Sequence, residues 1–238
     1  MKKILSIALA IGLVFAISFT TLAGSIYWDP SANGYWYEND DGTYAVNSWK
    51  YVNNHWYYFG KDGYALAGWV KDQGKWYYLN SYGQMQTGWV KDGKWWYYLN
   101  GSGAMVTGWL KDRGKWYYLN PSNGAMVTGW LSDGGKWYFM DSSGAMVSND
   151  LYIIDGKKYL FGSSGAMLRG WQKWFTTSNT VEWFFFDYSG SMHIGWLNDG
   201  GYWYYLDESM AYGGWDLING KWYHFNYNGV CTNPYNPS

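Results

Sequence analysis

Glutamate, histidine and cysteine are all scarce in this chain, and each scarcity excludes something. The three glutamates, at positions 38, 182 and 208, stand too far apart for the paired acid and nucleophile of glycoside hydrolysis. His55, His193 and His224 lack metal-ligand spacing, and one cysteine, Cys231, can build neither a disulfide nor a zinc site. That thiol reads as a near-terminal group without a role. No Gly-rich loop opens a helix, so a phosphate cradle is unsupported, and nothing beyond the N-terminal run has a helical period. Charge is thin as well. Only 15% of residues are charged and the formal net charge is −1, which gives no field to attract nucleic acid or an anionic membrane. No catalytic residue, metal or cofactor is expected, and the chain reads as a non-enzyme.

What is abundant is aromatic. Of 238 residues 24% are aromatic, with 20 Trp and 26 Tyr, and Gly adds 32. A chain this short has too little interior for so many large rings, so many must lie half-buried at surfaces. The N-terminus reads as an export signal over 1–23. Lys2 and Lys3 precede an apolar run from Ile4 to Phe19, and Ala23, Gly24 and Ser25 offer small residues for cleavage. The expected destination is outside the cell, with membrane contact only through this segment if it stays uncleaved.

Residues 24–238 are organised by repetition. Trp49, Trp69, Trp89, Trp109 and Trp130 follow one another at intervals of 20, 20, 20 and 21 residues. Each is followed seven residues later by Trp56, Trp76, Trp96, Trp116 or Trp137, and Trp196/Trp203 and Trp215/Trp222 keep that offset. The second Trp opens an aromatic triplet such as Trp76-Tyr77-Tyr78, and a Gly-x-Met segment such as Gly83-Gln84-Met85 closes the unit. Poorer copies begin at Trp28, Asp150 and Trp171, making ten units. Each unit reads as a β-hairpin with turn chemistry at its tip, as at Asp72-Gln73-Gly74, and turn formation accounts for Asp72, Asp92, Asp112, Asp133 and Asp199. An even loop puts Trp69, Trp76 and Tyr78 on one face, with Val70, Tyr77 and Leu79 on the other. A lone hairpin is marginal in water, so an all-β solenoid of stacked hairpins is expected. The Gly of each Gly-Trp pair is expected to allow close approach or a positive φ at the link.

Three rings converging on one spot suit a quaternary ammonium, which cannot donate a hydrogen bond and is held by ring quadrupoles. Segments such as Gly108-Trp109-Leu110-Lys111-Asp112-Arg113-Gly114-Lys115-Trp116-Tyr117-Tyr118-Leu119 and Gly124-Ala125-Met126-Val127-Thr128-Gly129-Trp130 resemble the choline-binding, or cell-wall-binding, repeat of Gram-positive surface proteins and lytic enzymes. The resemblance runs from about Ile26 to the end and is strongest between Trp49 and Trp137. It implies a left-handed hairpin superhelix with aromatic cages where successive hairpins meet. The implied walls are Trp49, Trp56, Tyr58, Trp69, Trp76, Tyr78, Trp89, Trp96, Tyr98, Trp109, Trp116, Tyr118, Trp130 and Trp137, with Met85, Met105 and Met126 as floors. Trp196, Trp203 and Tyr205 restore the triad further on. The implied ligand is choline, as phosphocholine on teichoic or lipoteichoic acid, and the implied location is the cell wall.

Some units depart from the pattern. The unit beginning at Asp150 loses both Trp positions, read as Asp150 and Lys158, and is expected to be structural. Trp171 and Trp183 are 12 residues apart with Phe175 to Thr180 inserted, which leaves the parity of that unit open. Position 139 is Phe and position 224 is His where other units have Tyr. Two other readings stand beside choline: a glucan- or glycan-binding module, and a structural or adhesive stalk. A homodimer through the terminal hairpins is also left open.

Overall fold

The computed structural model describes residues 24–175 and 181–233. The expected signal segment therefore lies outside the described residues, as does most of the insertion after Phe175. Among the described residues there is no helix, only strands and turns. The strands pair in chain order: β1 Ser25–Asp29 with β2 Gly34–Glu38, β3 Ser48–Val52 with β4 His55–Phe59, β5 Gly68–Asp72 with β6 Lys75–Leu79, β7 Gly88–Asp92 with β8 Trp95–Leu99, and β9 Gly108–Asp112 with β10 Lys115–Leu119. Next come β11 Gly129–Asp133 with β12 Lys136–Met140, β13 Asp150–Ile154 with β14 Lys157–Phe161, and β15 Gly170–Phe175 with β16 Val181–Phe186. The last are β17 Gly195–Asp199 with β18 Tyr202–Asp207, joined by β19 Ser209–Met210, and β20 Gly214–Ile218 with β21 Lys221–Phe225. The chain forms two compact units, one running to Gly88 together with Leu99–Ala104, the other comprising Trp89–Tyr98 and everything from Met105 onward.

The hairpins are short and tightly turned for a local reason. In β5–β6 Asp72 pairs with Lys75, leaving only Gln73 and Gly74 in the turn, at φ 46° and 81°. Two successive positive φ values match the right-handed twist of the strands, and Gly at the second position adopts one without strain. Register then follows. Trp69 faces Tyr78, Val70 faces Tyr77 and Lys71 faces Trp76, so Trp69, Trp76 and Tyr78 share one face, as the seven-residue offset requires.

Among the described residues the core is divided among several clusters rather than gathered into one. The last residue of the second strand is buried in hairpin after hairpin: Phe59, Leu79, Leu99, Leu119, Met140, Phe161, Phe186 and Phe225, with Leu206 in the same place, each at most 1% exposed. Linkers bind the stack together within each unit. Asn100 or Asp141 folds the linker by accepting backbone N–H bonds from residues two and four ahead. The linker methionine then donates its N–H to the second tryptophan of the hairpin before, Met85 to the Trp56 carbonyl at 2.8 Å and Met126 to that of Trp96 at 2.7 Å. Its sulfur lies over the glycine of the next linker, where a Cβ on Gly144 would collide with Met126.

The structure corrects two expectations and answers a question left open. Leu151, not Asp150, holds the first tryptophan position of its unit, since Leu151 pairs with Leu160 and Ile153 with Lys158. Asp150 stands where other hairpins have the link glycine. The open parity of the inserted unit is resolved: β15 and β16 are one residue pair longer, Trp171 faces Phe185 and Lys173 faces Trp183, and both indoles share a face. Cys231 is not idle. It takes the methionine place in the last linker, donating its N–H to the Trp203 carbonyl at 2.8 Å, and burial pushes its thiol pKa up. Gly229-Val230-Cys231 thus repeats Gly83-Gln84-Met85, a likeness visible in the sequence.

The link glycines have positive φ, for example 81° at Gly68 and 80° at Gly129, except Gly214, where the preceding Gly213 carries it at 68°. Hairpins that start with Ser48 or Asp150 shift that burden one residue back, to Asn47 at 44° and Asn149 at 52°.

Candidate functional site

Within each unit, the Trp face of one hairpin lies on the opposite face of the next. The contact is between rings. Trp49 meets Tyr77 with centroids 4.8 Å apart, Trp89 meets Tyr117 at 4.8 Å, and Trp109 meets Tyr138 at 4.9 Å. Trp130 meets Tyr159 at 4.8 Å, Trp171 meets Tyr204 at 4.8 Å, and Trp196 meets Tyr223 at 4.7 Å. All are edge-on, the arrangement ring quadrupoles favour. The recurring partner is the middle residue of the aromatic triplet.

Two hollows result. Trp49, Trp56, Tyr77 and Met85 line one of about 230 Å³, together with Ser102. Trp89, Trp96, Tyr117 and Met126 line another of about 320 Å³, with Ser142 and Ser143. Both lie near the lower end of ligand-pocket volumes and fit a compact head group. The second indole stays open to water, with Trp56 43% and Trp96 40% exposed.

The residues singled out from the sequence divide by place. Trp49, Trp56 and Met85 come together at the first hollow, and Trp89, Trp96 and Met126 at the second. Trp69 and Trp76 lie 6.5 Å apart, and the pairs Trp109/Trp116, Trp130/Trp137 and Trp196/Trp203 lie at 6.3, 6.3 and 6.4 Å, all near perpendicular. Met105 packs on Gly124 as Met126 does on Gly144. Tyr58, Tyr78, Tyr98, Tyr118 and Tyr205 stand elsewhere. Each is the cross-strand neighbour of its own first Trp, at 5.1, 5.1, 5.2, 5.1 and 5.2 Å, and braces that indole from within the hairpin. The third ring of each hollow comes instead from Tyr77 or Tyr117, on the face that alternation sets opposite. Spacing inside one hairpin fixes which rings share a face, but it cannot say which face of the next hairpin covers them.

The aspartates also do more than turn the chain. The Trp49 indole N–H donates to Asp72 Oδ2 at 3.1 Å, Trp89 to Asp112 at 3.0 Å, Trp109 to Asp133 at 2.9 Å and Trp171 to Asp199 at 2.9 Å. Tyr118 donates its hydroxyl to the other oxygen of Asp133 at 3.4 Å. Burial, the Asp133 charge and that bond raise the Tyr118 pKa, while burial and Asp199 raise that of Tyr204. The unit beginning at Asp150 has no such arrangement. Lys158 replaces the second Trp and reaches Glu208 at 2.8 Å, while Leu151 packs on a cluster of Leu160, Phe184 and Phe186. Among the described residues no group of three or more His, Cys, Asp or Glu side chains could hold a metal.

Short hairpins, most of which hand a pair of indoles to a phenol of the next, define a repeat protein built around aromatic hollows. The chain belongs to the choline-binding repeat family. That repeat matches residues 46–85, 66–108 and 106–151, and the cell wall binding repeat matches 151–167, 194–209 and 213–231. Similar solved structures include choline binding protein F from Streptococcus pneumoniae, with 27% identity over 90% of this chain and 94% of that one, at a TM-score of 0.56. CbpF has also been solved in complex with ipratropium, at 29% identity over 84% of this chain and 76% of that one, TM-score 0.65. The choline-binding domain of CbpL from Streptococcus pneumoniae is similar at 28% identity, over 79% of this chain and 98% of that one, TM-score 0.60. No curated protein sequence matches the chain. Family membership implies association with the cell surface.

Proposed function

We propose that this chain is a non-catalytic, exported wall-attachment protein whose aromatic hollows hold the choline groups of teichoic or lipoteichoic acid. The observation that carries the reading is the hollow of Trp49, Trp56, Tyr77 and Met85, in which three rings and a thioether meet around a space open to water. A trimethylammonium group has no hydrogen to donate, so ring faces and loss of water from its methyl groups are what hold it. Each ring contributes about 0.5–2 kcal/mol. Three rings therefore give roughly 2–5 kcal/mol before ordering costs, or binding near the millimolar range. Weak sites suffice when they are repeated. Several hollows on one chain, facing a polymer that repeats its cation, gain about 10²–10⁴ in avidity. Two similar structures carry choline binding in their names, and another holds ipratropium, which supports a cationic ligand. A sugar would need a flat ring face with hydrogen-bonding partners beside it, and three rings set edge-on to one another favour the cation.

The test is retention on a tertiary-amine resin in high salt. The chain is expected to stay bound and to elute with free choline, while Trp49→Ala combined with Trp89→Ala weakens retention. Flow-through in high salt with retention on dextran or starch would favour the glycan reading, and binding to neither would favour a stalk.

A further inference from the structure

The hydrogen bond from the first indole to a carboxylate is present in some junctions and replaced in others, and the replacement is systematic. Asp72, Asp112, Asp133 and Asp199 each end the first strand of a hairpin whose opening glycine pairs with Leu79, Leu119, Met140 or Leu206 on the second. Where the first strand ends in Val52, Ile154 or Ile218, the second ends in Phe59, Phe161 or Phe225. Trp130 and Trp196 therefore lie against Ile154 with Phe161 and against Ile218 with Phe225, inside apolar clusters. We propose that the indole-bonded aspartate is the specificity-determining residue that makes a hollow prefer a cation over a neutral group of the same shape. On this view the hollows of Trp49 and Trp89 are charge-selective, the junctions of Trp109 and Trp171 carry the same carboxylate, and the apolar junctions of Trp130 and Trp196 can select only for shape.

This rests on the reading of the hollows as choline cages, and two physical effects support it. An anion accepting the ring N–H raises the electron density of the indole, so its face attracts a cation more strongly. The carboxylate also adds its own field from behind the wall, and in a half-buried site that field is incompletely screened. It reaches the walls: Asp199 is among the causes that raise the Tyr204 pKa, and Tyr204 is the ring facing Trp171. Other charges modulate the effect. Lys91, Lys111 and Lys173 lie over Trp96, Trp116 and Trp183 at 6.0, 5.8 and 4.7 Å, and Arg113 Nε is 3.9 Å from Asp112. Beside Trp56 the corresponding residue is Tyr51, at 5.2 Å, so the Trp49 hollow has the carboxylate with a phenol rather than a lysine beside its second indole and should show the largest preference.

The experiment compares choline with its uncharged tert-butyl analogue on the full chain, reading the indole N–H resonances of Trp49 and Trp89 in wild type, Asp72→Asn and Asp112→Asn. Asparagine keeps an oxygen for the indole and removes the charge. Asp72→Asn should lower choline affinity at Trp49 by roughly three- to tenfold, leave the analogue unchanged there, and leave Trp89 untouched. Asp112→Asn should do the converse, and a native spectrum at the untouched hollow shows that the variant is folded. Equal loss of both ligands would mean that the aspartate merely positions the ring, and no change in either would mean that it does nothing. Each result overturns the proposal while leaving the choline reading intact. A wild type that binds neither ligand overturns both.

Discussion

The junctions of Trp109 and Trp130 are consecutive in the chain and differ in what covers the first indole. Trp109 has Asp133 on its N–H at 2.9 Å and Tyr138 on its face. Trp130 has Tyr159 in the same place, but Ile154 replaces the aspartate and Phe161 leans on the ring at 5.9 Å. The backbone plan is shared, so the difference lies in side chains: Ile154 stands for Asp133, Phe161 for Met140, Phe139 for the Tyr118 that bonds Asp133, and Lys158 for Trp137. It separates two tasks that one repeat performs. The ring contact and the linker bond hold hairpins together at both junctions, whereas polarity around the indole is set independently.

The largest effect that could break this comparison is on stability. Phe161→Ala removes a fully buried ring at the apolar junction and should cost about 3–5 kcal/mol, more than the smaller Leu119→Ala, for which the range is about 2–5 kcal/mol. Thermal melts followed by near-ultraviolet circular dichroism compare the two, and an equal or smaller loss for Phe161 would deny the apolar junction its separate role. A smaller effect is expected at the unit without indoles. The Lys158–Glu208 pair is partly exposed, at 32% and 67%, so Lys158→Met should shift stability by about 1 kcal/mol or less, and less again in high salt. A larger loss would make that ion pair a structural staple. The smallest is alkaline titration. Burial and then neighbouring carboxylates raise the Tyr118 and Tyr204 pKa values, so the folded state favours the neutral phenols. Their contribution is fully present below the ordinary phenol value near 10 and is lost as pH rises through the raised folded values. Tyrosinate absorbance in wild type and Asp133→Asn checks this, with Tyr118 expected to ionise earlier in the variant.

Much of the hairpin was legible beforehand because strand alternation is a strict rule of period two. The seven-residue offset places Trp69, Trp76 and Tyr78 on one face, and the register of β5–β6 agrees. Positive φ at Gly68 was legible from the sequence too, since a glycine recurs at the link between hairpins. What passes between hairpins was not. Tyr77 and Tyr117 reach the hollows from the neighbour's other face, and Asp72 finds an indole 23 residues away. No spacing within one repeat encodes that step. Leu151 was displaced by one residue because its unit lacks the Gly-Trp pair that anchors the others, although Asp155-Gly156 at its tip fixes the alignment. Trp183 was obscured because its extra residues lengthen both strands equally and so preserve parity.

The most direct measurement is a choline titration of the full chain with indole N–H resonances assigned for Trp49, Trp56, Trp89 and Trp96. The account predicts saturable shifts at these four indoles with midpoints near the millimolar range. Indole resonances that stay fixed at choline concentrations far above that range would contradict it.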